Sequence, residues 1–208
     1  MRVRYGTPTP QRRDAQRNRA AILRAASEAM TTRRSVIGMP EIARRAGVGQ
    51  ATLYRHFPDR YALTSGVIAY QIEQLEARVA TVVRQPSRLR GILAQLLRTQ
   101  VTMRPLVLLA RRLEPGVRDR FVRRTIAALT GPLRRAQDHG LVRRDLEPND
   151  LVLLFTMVEG VVAGTDDPAA ADRSIQLALD GIFRPEAGSD GGGQVAGTEG
   201  APVVGHHR

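Results

Sequence analysis

Apolar residues recur at helical spacing along most of the chain, and no stretch shows convincing period-two alternation. Ile22, Leu23, Ala26 and Met30 mark a helix over about residues 11–32. Ile42, Ala43 and Ala46 give an apolar face to a short second helix, and Leu53 and Phe57 have the inward spacing of a third. A long helix follows over about 60–84, with Leu63, Val67, Ile72, Leu75 and Val79 on one stripe, and Gln85-Pro86-Ser87 breaks it. Leu89, Ile92, Leu93, Leu96 and Met103 mark the next helix. Residues 106–113 form a short apolar helix between Arg104-Pro105 and Glu114-Pro115-Gly116. A helix over about 117–139 carries Phe121, Thr125, Leu129 and Leu133 inward, with a kink expected at Gly131-Pro132 because proline removes an internal hydrogen bond. The pattern predicts an all-α fold of about nine helices and no sheet.

The last two helices differ from the rest. Residues 149–164 are apolar almost all round, so that helix must be covered on more than one side. Residues 169–183 carry one apolar face, and the small residues Gly160, Ala163, Gly164, Ala178 and Gly181 permit close helix approach. This predicts a homodimer through a four-helix bundle. Leu154, Val158, Val161 and Val162 would come from the first helix, and Ile175, Ala178, Leu179 and Ile182 from the second. A monomeric core is the alternative. Residues 1–10, with Gly6, Pro8 and Pro10, read as a flexible basic arm, and the glycine-rich residues 185–208 read as a disordered tail that includes His206 and His207.

Local chemistry sharpens the picture around residues 38–59. Gly38 stands where the second helix starts, with Glu41 three residues on and Pro40 tolerated in the first turn. Gly47 suits the left-handed conformation that a sharp stop needs, and Val48 points back to the core. The third helix opens at Gly49 or Gln50, Phe57-Pro58 closes the unit, and Asp59 caps the next helix. Two short helices across a tight turn are the layout of a helix-turn-helix DNA reader. Charge points the same way. The chain has no Lys, and residues 1–60 hold 13 Arg against four acidic residues, which leaves most of the net charge of +12 on this segment. That is the electrostatic footprint of a phosphate-backbone binder.

Residues from about 18 to 67 resemble the N-terminal domain of the TetR family of bacterial transcriptional regulators. The matching pieces are Ile22-Leu23-Arg24-Ala25-Ala26, Ile42-Ala43-Arg44-Arg45-Ala46-Gly47-Val48, Thr52-Leu53-Tyr54-Arg55-His56-Phe57 and Pro58-Asp59-Arg60-Tyr61-Ala62-Leu63. The run from Gly140 to Asp150 resembles a recurring loop of that family more weakly. The chain departs from the pattern at Arg33 and Arg34, where the family has Gly and an aromatic residue. It also has Gly38 where Ser or Thr is usual and Gly49 where Ser is usual. The resemblance implies a DNA-reading domain followed by a domain that pairs through its last two long helices and often holds a small-molecule pocket. Tyr54 and Arg60 would then meet phosphates.

The remaining site assignments follow from position. Gln50, Ala51, Thr52, Tyr54, Arg55 and His56 lie on the outward faces of the third helix. Gln can pair with adenine, and Ala or Thr can pack on a thymine methyl. Arg12, Arg13, Arg17 and Arg19 would follow the backbone or minor groove and specify little. Leu96, Met103, Phe121 and Phe155 are the apolar candidates for an effector pocket. Gln100, Thr125 and Glu159 are polar exceptions on the same stripes, which ordinary satisfied core positions would also explain.

Composition removes other classes. Zero Cys excludes disulfides, thiolate metal sites and Cys nucleophiles. No Gly-rich phosphate loop, metal-ligand spacing or Gly-x-Ser-x-Gly elbow occurs, so no enzyme, cofactor or metal is expected, and His139 reads as a helix-end residue. Neither a signal peptide nor an apolar run of spanning length is present, so a soluble cytoplasmic protein is expected. The expected organisation is an arm (1–10), a helix-turn-helix domain (11–60), a helical effector-binding and dimerisation domain (61–184) and a tail (185–208). The expected function is a sequence-specific regulator, a repressor released from a palindromic operator by a small molecule. A nonspecific DNA-coating architectural protein is the alternative.

Overall fold

Two hydrophobic cores share one helix. A computed structural model describes residues 10–32, 38–82, 84–164 and 167–184. The expected arm, Arg33 and Arg34, the tail from 185 and the side chain of Val162 lie outside the described residues. The described residues form α1 (Pro10–Thr32), α2 (Met39–Ala46), α3 (Gln50–His56), α4 (Arg60–Thr81), α5 (Arg88–Thr102), α6 (Arg104–Ala110), α7 (Pro115–Asp138), α8 (Asp150–Gly164) and α9 (Pro168–Ile182). Among them there is no strand, only an isolated antiparallel bridge between Val142 and Phe183. No helix among them is long and apolar enough to cross a membrane.

Helix ends obey local chemistry. Gly47 has φ 66°, its N–H bonds the Arg44 carbonyl at 3.2 Å, and the Val48 N–H bonds that of Ala43 at 3.1 Å. This left-handed closure turns the chain from α2 into α3. Asp59 caps α4 by accepting the Ala62 N–H at 2.7 Å. Glu41 is drawn along its own helix to Arg44 and Arg45. α7 runs through Gly131-Pro132 without interruption and ends at His139 and Gly140, the latter with φ 72°.

The N-terminal core joins Ile22, Ala26 and Met30 of α1 to Ile42, Leu53 and Phe57 of the helix-turn-helix and to Leu63 and Val67 of α4. The second core joins Leu75 and Val79 of the same α4 to α5, α7, α8 and α9. α4 is therefore a common wall. Met103 and Leu106, at the α5–α6 joint, belong to the N-terminal core although they lie 40 residues beyond Leu63 and more.

Most of the expected dimer residues turn into the protomer's own core. Leu154, Val158, Ile175, Leu179 and Ile182 are buried in the protomer's own core, and Ala178 packs half-buried against it. Side chains already covered by their own chain cannot form a pairing surface without unpacking it. Val161 is half-buried. Among the described residues, the large apolar side chains exposed on these two helices are Leu153 (62%), Met157 (63%) and Leu177 (55%), none of which is in the expected dimer set.

Candidate nucleic-acid interface and adjoining cavity

α3 is held from behind and open in front. Leu53 and Phe57 are buried, whereas Gln50, Ala51, Tyr54 and Arg55 are exposed and Thr52 and His56 are half-buried. The Arg55 guanidinium donates to Thr52 Oγ1 at 3.4 Å. Burial, then the charges of Arg55 and Arg19, push the His56 imidazole below its ordinary pKa, which favours its neutral form. Arg60 opens α4 half-buried, beside exposed Tyr61, which sequence reasoning had not picked out.

Among the described residues, the α1 arginines separate into unpaired and engaged groups. Arg12 and Arg13 are exposed on the first turn of α1, on regular helix. Arg17 is ion-paired with Asp14. Arg19 stacks on the Phe57 ring, 4.9 Å from its centre, and so braces the end of α3. On α2, the Arg44 guanidinium donates two bonds of 2.8 Å to Glu41, and Arg45 donates one of 2.9 Å. These hydrogen bonds hold the Glu41 carboxyl at about 2.

A cavity of about 310 Å³ opens between α4, α5, α6, α7 and α8. The structure brings Leu96, Met103, Phe121 and Phe155 together in its wall with Gln100, Thr125 and Glu159. Thr125 Oγ1 donates to the Phe121 carbonyl at 2.9 Å, and Glu159 accepts from Arg111 Nε at 2.5 Å. Gln100 donates through Nε2 to the Phe155 carbonyl at 3.3 Å, while its Oε1 is buried without a donor. Sequence reasoning missed the arginines of the wall, Arg78, Arg111 and Arg118, because each reads locally as a solvated position. It also missed that Met103 and Leu106 serve both the wall and the N-terminal core. A hydrogen bond from Gln71, another wall residue, to Ser27 ties α4 to α1.

Comparison with known proteins places this geometry. The family model for bacterial regulatory proteins, tetR family, matches residues 22–65. A second model, the transcriptional regulator SbtR-like C-terminal domain, matches residues 79–184, half of the chain by itself. The chain belongs to the TetR family. It is thus a member of a family of DNA-binding transcriptional regulators, and α2–α3 is its helix-turn-helix. A TetR transcription regulatory protein from Mycobacterium vanbaalenii is 27% identical with a TM-score of 0.61, over 84% of this chain and 100% of that one. A TetR transcriptional regulator from Streptomyces coelicolor is 24% identical with a TM-score of 0.62, over 79% and 98%. A putative transcriptional regulator from Saccharomonospora viridis, solved in complex with choline, is 20% identical with a TM-score of 0.55, over 80% and 98%. The last two establish the shared TetR fold alone. No curated protein matches the chain.

Proposed function

We propose that this TetR-family protein is a repressor that binds a palindromic operator as a homodimer and leaves it when a small molecule fills the cavity. The observation that carries the reading is the double membership of Met103 and Leu106. They form part of the cavity wall and part of the core that holds α1, α3 and α4. A ligand that displaces them disturbs the packing behind α3, so the DNA-bound and ligand-bound arrangements compete. The ligand must bind the DNA-free arrangement better, and DNA must weaken the ligand by the same factor. A tenfold loss of operator affinity needs only about 1.4 kcal/mol of coupling.

Base contact is assigned to Gln50, Ala51 and Thr52, and phosphate contact to Tyr54, Arg55, Arg60, Arg12 and Arg13. His56 borders both groups. Arg17 ranks below them because Asp14 engages it. The test is selection of a preferred site from random duplex DNA, followed by titration at fixed salt. Gln50→Ala should cost about 1–3 kcal/mol on the selected site and relax base preference. Arg60→Ala should weaken all sequences alike and flatten the salt dependence. Equal affinity for every sequence would instead make the protein an architectural DNA binder.

A further inference from the structure

The cavity is apolar in its depth and cationic at its rim. Ile72, Leu75 and Ile126 are buried along the wall, and Phe121 and Phe155 are half-buried. The exposed wall residues, which mark the opening, include Arg78, Arg111 and Arg118. Among the described residues of the wall, Glu159 is the one carboxylate, and Arg111 already holds it at 2.5 Å. Among the described residues, neither Arg78 nor Arg118 has a carboxylate partner. Arg78 makes only a long 3.4 Å bond to the Gln74 carbonyl of its own helix. Three guanidiniums against one carboxylate give the opening a positive balance that repels a cation and receives an anion.

The wall of the cavity holds a second demand. Gln100 sits in the wall, anchored through Nε2 to α8, and its Oε1 is buried with no donor. A buried acceptor without a donor is costly, and a donor on a bound molecule relieves that cost once the Gln100 side chain turns its Oε1 toward the cavity. An ionised carboxylate or sulfate head has no proton to give, so for those heads the donor must lie elsewhere on the ligand.

We infer that the cavity takes an amphipathic anion: an apolar body along Ile72, Leu75 and Ile126, an anionic head at Arg78 and Arg118, and a hydroxyl or amide N–H donating to Gln100 Oε1. Carboxylate, sulfate and phosphate heads share the chemistry. The inference rests on the proposed reading of the cavity as the effector site, and it fixes which chemical class that site selects.

Calorimetric titration of the full chain with four matched probes tests it: octanoate, 3-hydroxyoctanoate, 1-octanol and octyltrimethylammonium. Octanoate should bind at least about fivefold tighter than 1-octanol or the ammonium, as a partly exposed ion pair allows. 3-Hydroxyoctanoate should gain about a further fivefold from one hydrogen bond. The double variant Arg78→Gln, Arg118→Gln should bring octanoate level with 1-octanol while keeping the hydroxyl gain. Gln100→Met should erase the hydroxyl gain while keeping the anion preference. 1-Octanol or the ammonium binding as well as octanoate, or no binding by any probe to folded protein, would overturn the inference. Operator titration with the same probes separates the two claims. An anion that binds without releasing DNA leaves the ligand class standing and removes the repressor switch. A neutral or cationic probe that releases DNA does the reverse.

Discussion

A methyl group added at Gly66 would stand 2.6 Å from Phe57 Cε1 and 3.1 Å from Leu23 Cδ2. The glycine therefore lets α4 approach the ring that ends the DNA-reading helix. Gly66→Ala gains about 1 kcal/mol of helix propensity but forces the Phe57 ring aside, an overpacking that costs about 1–3 kcal/mol. The expected result is a lower denaturant midpoint, together with weakened DNA binding because Phe57 anchors α3. His56 supplies a pH test on the same helix. Its folded pKa lies below the ordinary histidine value, so its contribution to stability is full above the unfolded pKa. That contribution is lost as pH falls through that pKa toward the depressed folded one. On the proposed interface, protonation also places a new positive charge on the face turned to DNA. Acidification should thus tighten DNA binding while lowering the melting temperature, and His56→Gln should flatten both trends. A pH-independent affinity in the parent would remove His56 from the interface.

At the scale of the helix, α8 shows why some features were legible in the sequence and others were not. Its 100° turn per residue divides it into three sectors. Leu151, Leu154 and Val158 enter the core; Val152, Phe155, Thr156 and Glu159 border the cavity; Leu153, Met157, Gly160 and Gly164 face outward. All-round apolar character announced that several surfaces were covered, but one-dimensional spacing could not say which sector met what. Stops and starts were legible because they depend on one residue and its neighbours, as at Gly47 and Asp59. Pairings between distant elements were not. Arg124 of α7 grips Glu76 of α4 with two bonds of 2.7 Å across 48 residues of sequence. Gln137 is another such case. Buried at the end of α7, its Nε2 donates to the carbonyls of Arg143 at 3.1 Å, Arg144 at 3.3 Å and Leu146 at 2.7 Å. It holds the loop that leads into α8. Gln137→Leu leaves those carbonyls without this donor and should lower unfolding free energy by about 1–3 kcal/mol, read by urea titration. The preceding Ala136→Gly would not mimic the loop effect, which hydrogen exchange of residues 141–149 should report separately.

The proposed palindromic operator presents two half-sites about 34 Å apart along the duplex, one for each helix-turn-helix. On that proposal a rigid pairing of two copies has to place both α3 helices at that spacing, and we propose the exposed face of α8 and α9 as the pairing surface. Leu153, Met157 and Leu177 leave apolar side chains in solvent there, with Gly160, Gly164 and Gly181 exposed on the same two helices for close approach. The buried stripe of these helices serves the protomer, and the two roles can be separated by adjacent substitutions. Met157→Asp adds a charge to a surface position, so the monomer should stay folded while the dimer weakens by about tenfold or more, since an unpaired carboxylate would be buried on association. Leu154→Asp puts the same charge into the core and should unfold the domain instead. Sedimentation measures the first effect and circular dichroism the second. In the folded Met157→Asp monomer, affinity for an isolated half-site should match the parent, while affinity for the full palindrome should collapse toward the half-site value. A Met157→Asp protein that stays dimeric and keeps full palindrome affinity would mean that the two copies pair through another surface.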